Sequence, residues 1–344
     1  MKSGTPLSAR PILVTGGGGF LGNALVRMLI ERGDRVRSFS RSHYPQLDTM
    51  GVAQFQGDLA DAEALRNACR GVGLVFHVAA KAGVWGPFKD YHQANVVGTR
   101  NLIRACHANG VERLVYTSSP SVVFDGGDME NIDESVPYAP TFHAPYPQTK
   151  AMAEQLVREA SSGALKTIAL RPHLIWGPGD NHLVPRIIQR ARRLRKVGDG
   201  KNKVDTIYVD NAAQAHVLAA EKLASHPQLS GRVYFISQDD PVRLWDMVNA
   251  ILAAADLPPV QRTISIPAAR RIGAALEWLY RAFRLPGEPP MTRFVADELA
   301  TAHWFDIRAA KQDLGYTPLV STNEGLRRLR QWIQEEKPYK GLHA

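Results

Sequence analysis

The sequence predicts a doubly wound α/β fold: a parallel sheet with helices on both faces, and a smaller C-terminal lobe interleaved with it. Two observations predict it. In the first half, short apolar blocks alternate with segments of helical periodicity, the trace left by parallel strands and their crossover helices. At the first strand-to-helix junction, LVTGGGGFLG (13–22), stand four consecutive glycines. Such a run is entropically costly and needs a close contact to justify it.

The elements follow in order. Pro11-Ile12-Leu13-Val14 reads as a buried strand, and Phe20, Leu21, Ala24, Leu25, Met28 and Leu29 recur at helical spacing up to a stop at Gly33. RVRSFS (35–40) is the second strand. A short third strand precedes GDLAD (57–61), which opens a helix over 61–70. GLVFHVAA (73–80) is a buried strand, 91–110 a helix, RLVYTSS (113–119) a strand, 146–160 a helix and LKTIALRP (165–172) a strand. KVDTIYVDNAAQAHVLAAEKL (203–223) reads as a strand-helix unit returning to the first domain, and RVYFIS (232–237) as one more strand. This divides the chain into a nucleotide-binding domain, 9–175 plus 205–237, and a substrate lobe, 176–204 plus 238–338.

The net charge of +9 favours acidic partners or an anionic surface, and no nucleic-acid motif accompanies the basic residues. Cys69 and Cys106 form no framework, so free thiols are expected. The absence of a long apolar run or a leader pattern predicts a cytoplasmic protein. His77, His92, His143 and His173 lack metal-ligand spacing, so no metal site is expected.

Gly16, Gly19 and Gly22 stand three apart in the strand-helix turn, where the first makes the bend, the second admits a pyrophosphate and the third packs helix on strand. The second strand ends in Ser40 and Arg41, where an acid would serve the ribose of NAD; a hydroxyl and a guanidinium suit the 2′-phosphate of NADP. Asp58 can accept from an adenine amino group, cap the helix that follows, or both. Tyr146 and Lys150 share one helix face in YPQTK, the lysine favouring the phenolate of the tyrosine. Pro147 places Tyr146 in a first helical turn. Ser119, with Ser118 and Ser121 beside it, ends the fifth strand on the side where ligands bind in open α/β sheets.

These motifs, with HVAA (77–80), NVVGTRNL (95–102), RPHLIWGPGD (171–180) and VDNAAQAH (209–216), make the chain resemble the extended short-chain dehydrogenase/reductases over nearly its whole length. VGDGKNKVDTIYVDNAAQAH (197–216) and LGYTP (314–318) are similar to the 3β-hydroxysteroid dehydrogenase-like branch. SRSHYPQL (40–47), 81–99, LIWGPGDNHLVPR (174–186) and GEPPMTRFVADEL (287–299) resemble the bacterial 2-alkyl-3-oxoalkanoate reductases of long-chain olefin biosynthesis.

The resemblance implies a Rossmann fold and NADPH-dependent reduction of a 2-alkyl-3-oxo acid to the 3-hydroxy acid. Tyr146 is then the proton donor, Lys150 its support and the ribose holder, and Ser119 the group that polarises the carbonyl. It implies cofactor contacts from Phe20, Leu21, Leu59, Ala79 and Pro172 besides the glycines, Ser40, Arg41 and Asp58. It also implies a homodimer through helices near 92–109 and 147–161, and a β-lactone synthetase and an α/β-hydrolase as pathway partners. His77 stands where many relatives have asparagine, and Trp176 where tyrosine is common.

Lys81, Trp85, Trp176 and Arg293 are candidates for an alkyl chain bearing a carboxylate, with Phe294 as a further aromatic. Trp85 and Lys81 read equally well as packed loop anchors. The stretch 266–287 carries an apolar stripe, Ile272, Ala275, Leu276, Leu279 and Phe283, beside four arginines. It reads either as a core-facing helix of the lobe or as an interfacial helix meeting membrane. Alternative functions are a 3β-hydroxysteroid or sterol-4-carboxylate dehydrogenase, and a catalytically silent NADP sensor, against which the Tyr146/Lys150 pair argues.

Overall fold

The computed structural model describes residues 6–161 and 163–339. Seven parallel strands form the main sheet, in the spatial order Arg232–Ile236, Lys166–Pro172, Arg113–Thr117, Leu74–His77, Ile12–Thr15, Val36–Ser40 and Ala53–Gln56. Ile12, Leu13, Val14, Leu74, Val75 and Phe76 are fully buried, because helices cover both faces; this is why these strands read as unbroken apolar runs. The first strand pairs with both the second and the fourth, so the strand order reverses there and a crevice opens at the carboxyl ends.

The predicted strands 73–80 and 113–119 leave the sheet early, at His77 and Thr117, and their trailing residues line that crevice. The predicted helix 91–110 begins with a π-helical segment, His92–Val97, before Gly98–Ala108 winds as α-helix. The helix Ala62–Ala68 is capped by Asp61, whose carboxylate accepts from the Glu63 and Ala64 N–H groups. Asp58 instead accepts from the Ala60 N–H at 2.8 Å, so the cap expected of it belongs to its neighbour.

The unit 203–223 returns only through its helix. Val209–Ser225 buries Ala212, Ala213, Ala219 and Ala220, small side chains that let it lie close to Phe20–Glu31. Its strand Ile207–Tyr208 pairs with Ile175–Trp176 instead of joining the main sheet. A second sheet, in the order Val242–Arg243, Lys203–Val204, His303–Phe305 and Met129–Ile132, builds the lobe. Met129–Ile132, to which the sequence pattern gives no element, lies in the connection between the fifth strand of the main sheet and the Tyr146 helix.

Candidate active site

The glycine turn is made by close approach. Gly16 has a φ of +73°, and a Cβ there would lie 3.1 Å from the Ala79 backbone. A Cβ on Gly22 would lie 2.0 Å from the Gly16 carbonyl oxygen, so this turn admits no side chain there. The helix Phe20–Glu31 starts after Gly19 without a side-chain cap, which leaves first-turn N–H groups available to an anion. The Ser40 hydroxyl is buried with no hydrogen-bond partner among the described residues. Arg41 next to it is exposed and, among the described residues, in no ion pair. A side-chain-free cradle, an uncapped helix start and an orphaned hydroxyl fit a dinucleotide.

Gly16, Gly19, Phe20, Leu21, Gly22, Ser40, Arg41, Asp58, Leu59, Ala79, Lys150 and Pro172 all line one cavity of about 800 Å³. Ser119, Tyr146 and Lys81 line it too.

His77 organises the middle of this cavity without facing it. Thr99 donates its hydroxyl proton to the Asn95 carbonyl (2.6 Å) and therefore accepts from His77 Nε2 at 2.9 Å. His77 Nδ1 must then accept from Thr15 Oγ1 at 2.8 Å, and Thr15 accepts from the Ala79 N–H at 3.2 Å. Burial, and secondarily the Lys150 charge, push the imidazole down to about 3, so it stays neutral and holds this one tautomer. Asn95, on the π-helical segment, clamps the Lys81 backbone from both sides and donates to Thr149. His77 thus fixes two cavity walls.

The Tyr146 helix, Pro145–Glu159, starts at the cavity rim with a proline at its first position, as the sequence requires. Burial pushes the Tyr146 phenol up to about 12, against the Ser119 hydroxyl, which pulls it down. The lowering expected from Lys150 is therefore not seen: burial raises the phenol, and the group that pulls it down is Ser119. The Lys150 ammonium is directed to the Thr117 carbonyl and sits 4.2 Å over the Tyr116 ring, and its own burial lowers it to about 7. Of the three serines, Ser118 is buried toward the Glu154 carboxylate, while Ser119 and Ser121 share a hydroxyl contact of 2.9 Å. Ser119 is the one beside the phenol. A second neutral histidine, His216, donates Nδ1–H to the Ala212 carbonyl and accepts from Thr117 Oγ1, each at 2.7 Å. It ties the helix Val209–Ser225 to the strand from which the serines emerge.

The lobe side departs most from expectation. Trp176 is fully buried, donating its indole N–H to Thr206 and packing edge-on against Tyr208. It belongs to the core, because its two-residue strand is sealed from outside by the helix Thr322–Glu336, where a Cβ on Gly325 would meet the indole at 2.7 Å. Arg293 lies outside the cavity, held by Glu277 through both its backbone N–H and its guanidinium. Trp85 also lies off the cavity lining, against Tyr280 and under the Arg281 guanidinium. Lys81 does line the cavity but shares its charge with Asp90 at 3.8 Å.

Phe294, named from the sequence, and three residues that the pattern does not single out take these places. Leu183 and Arg186, on the helix Leu183–Arg190, face the cavity, with Arg186 paired to Glu288 at 2.6 Å. Phe294 and Glu298, one turn apart on the helix Arg293–Ala300, complete the wall opposite. Burial raises the Glu298 carboxyl to about 7, and Glu298 is close enough to Tyr146 to raise the phenol in turn. Phe294 is one of the aromatics named from the sequence; the one signal for Glu298 is that it stands four residues further along the same helix, and nothing local says which face looks inward.

The chain is similar to several known proteins. The chain is 56% identical over 323 residues to a 2-alkyl-3-oxoalkanoate reductase of Stenotrophomonas maltophilia, covering 93% of this chain and 98% of that one. A protein of the same name from Shewanella oneidensis is 50% identical, over 92% of this chain and 84% of its own length. A sterol-4-alpha-carboxylate 3-dehydrogenase (decarboxylating) of Schizosaccharomyces pombe is 36% identical, over 94% and 97% of the two chains. Among solved structures, MoeE5 in complex with UDP-glucose and NAD superposes with a TM-score of 0.73 at 26% identity, over 95% of this chain and 99% of that one. Residues 13–267 match the 3-beta hydroxysteroid dehydrogenase/isomerase family. The chain is an oxidoreductase of the extended short-chain dehydrogenase/reductase type and belongs to the 3-beta hydroxysteroid dehydrogenase/isomerase family.

Proposed function

We propose that the protein reduces the ketone of a 2-alkyl-3-oxoalkanoic acid to the 2-alkyl-3-hydroxyalkanoic acid, with NADPH as reductant. The observation that carries this reading is that one cavity joins the nucleotide cradle, the Ser119/Tyr146 pair and a lobe wall combining Leu183 and Phe294 with the Arg186 cation. The two relatives sharing half or more of the sequence bear the name of that reaction.

A bound reduced nicotinamide dinucleotide supplies the hydride; the rest falls to the chain. The Ser119 hydroxyl donates a hydrogen bond to the ketone oxygen as negative charge grows there. Tyr146, with a phenol near 12, remains protonated throughout the neutral range and gives its proton to the developing alkoxide. That protonation state suits reduction. Lys150 holds ribose hydroxyls and carries positive charge that steadies the phenolate left behind. Ser40 and Arg41 favour the 2′-phosphate of NADPH over the bare ribose of NAD.

The sterol relative's name puts its carboxylate on C4 and its reacting carbon at C3, so the oxidised carbon is again β to a carboxylate. The two activities therefore share one recognition problem, and the shape of the apolar wall decides between them. Following NADPH oxidation against 2-alkyl-3-oxo acids of increasing chain length, their methyl esters, and 3-oxosteroids tests the assignment. Each added buried methylene is worth about 0.8 kcal/mol, so KM should fall stepwise with length until the groove is full. A steroid that outperforms every oxo acid would falsify the choice of substrate.

A further inference from the structure

Five of the seven large hydrophobic side chains exposed among the described residues fall on one short stretch: Ile272, Trp278, Leu279, Phe283 and Leu285. The sixth, Phe88, follows the loop that lines the cavity at 81–84. Only Leu319 stands elsewhere. The helix Ile266–Ala282 explains the exposure, because it packs by its small face. Ala269, Gly273 and Glu277 are buried, and a Cβ on Gly273 would lie 2.6 Å from the Thr292 backbone. The apolar stripe visible in the sequence is therefore on the outside, which excludes the core-facing reading of this helix. Trp278 is 65% and Phe283 66% exposed, values no core-facing stripe would give.

The face is basic as well as apolar. Arg271, Arg281 and Arg284 have no carboxylate within ion-pair distance among the described residues, whereas Arg270 is paired to Asp297. It also adjoins the cavity mouth. Trp85 packs on Tyr280 and under Arg281, and Glu288 accepts from the Val84 N–H while pairing with the cavity residue Arg186.

We propose that this face, from Ile272 to Leu285, docks on an anionic lipid bilayer with the cavity mouth beside it. Exposed aromatic and aliphatic side chains interleaved with unpaired arginines are the chemistry of a helix lying in a membrane interface. A second copy of the chain joined about a twofold axis would set the three arginines against one another, which disfavours self-association. No helix among the described residues is long and apolar enough to cross a membrane, so the contact is peripheral. The docking rests on this surface alone; for the long-chain oxo acid proposed above, it also sets the mouth of the site against the phase in which that substrate dissolves.

Vesicle co-sedimentation of the full chain tests it, with phosphatidylcholine alone and with phosphatidylglycerol added. The bound fraction should be at least about 10-fold higher on the anionic vesicles at low salt and fall toward the neutral-vesicle value at 1 M salt, where screening is nearly complete. Trp278→Ser with Phe283→Ser, and separately Arg271→Glu with Arg284→Glu, should each abolish binding. Far-UV circular dichroism and thermal unfolding midpoints matching the parent chain confirm that both variants are folded. Absence of binding at low salt, or binding undiminished in a folded variant, overturns the proposal. So does light scattering in which Trp278→Ser with Phe283→Ser converts an oligomer to a monomer, since the face would then be a subunit contact.

Discussion

The two walls of the cavity are built in different ways. The sheet-edge wall comes from short motifs, each carrying its own geometry: a glycine turn, a serine pair at a strand end, and a tyrosine and lysine one helical turn apart. The lobe wall comes from helices at 183–190 and 293–300, held by ion pairs between distant segments, Arg186 with Glu288 and Arg293 with Glu277. The candidate proton-transfer groups sit in local sequence, whereas the wall facing them sits in tertiary packing.

The strongest way to break that division is at Tyr146. Tyr146→Phe keeps the ring and removes the proton, so kcat should fall by about 100-fold or more while NADPH binding, read by fluorescence titration, persists. Wild-type turnover in that variant would move the acid catalyst elsewhere. Next comes Arg41→Asp. Losing a charge-assisted contact and gaining repulsion should weaken NADPH use about 10- to 100-fold and leave NADH use nearly unchanged. Equal losses with both cofactors would mean that Arg41 does not meet the 2′-phosphate.

On the lobe wall the effects should be smaller and confined to substrate. Arg186→Leu should raise KM for an oxo acid roughly 10-fold, with little change for its methyl ester. Arg293→Ala, outside the cavity, should leave both KM values alone; a larger loss there than at Arg186 would reverse the assignment of the cation. The smallest effect is a pH dependence. Burial pushes the Glu298 carboxyl up to about 7, so it is neutral below that value and above it would add a negative charge near a substrate carboxylate held by Arg186. The ratio of acid to ester kcat/KM should therefore fall a few-fold as pH rises through 7, and Glu298→Gln should flatten it. A slope that survives in Glu298→Gln assigns the titration to another group.

The same division explains what could be read in advance. The alternating strands and helices, the glycine turn and the YPQTK helix are periodic or closely spaced, so the sequence carries their geometry, and the structure brings Gly16, Ser119, Tyr146 and Lys150 to one crevice. Trp176 misleads because an aromatic after a strand reads the same whether it faces a groove or a core; here the fold of the C-terminal helix over it decides. Arg293 misleads for a related reason: its partner, Glu277, is sixteen residues away on another helix. The stripe at 272–283 carries a correct apolar period but not its direction, since small residues on the opposite face make the closer contact.

The strand Met129–Ile132 has a consequence for how the protein is made. It pairs with His303–Phe305, so the segment joining Ser119 to Tyr146 finds its place only when residues near the end of the chain arrive. A nascent chain emerging from the ribosome can close its nucleotide cradle early, because the first-strand and glycine-turn contacts lie within the amino-terminal quarter. It cannot anchor the serine-to-tyrosine segment until synthesis is almost over. A product ending before residue 303 would carry Ser119 and Tyr146 without the strand that anchors the segment between them.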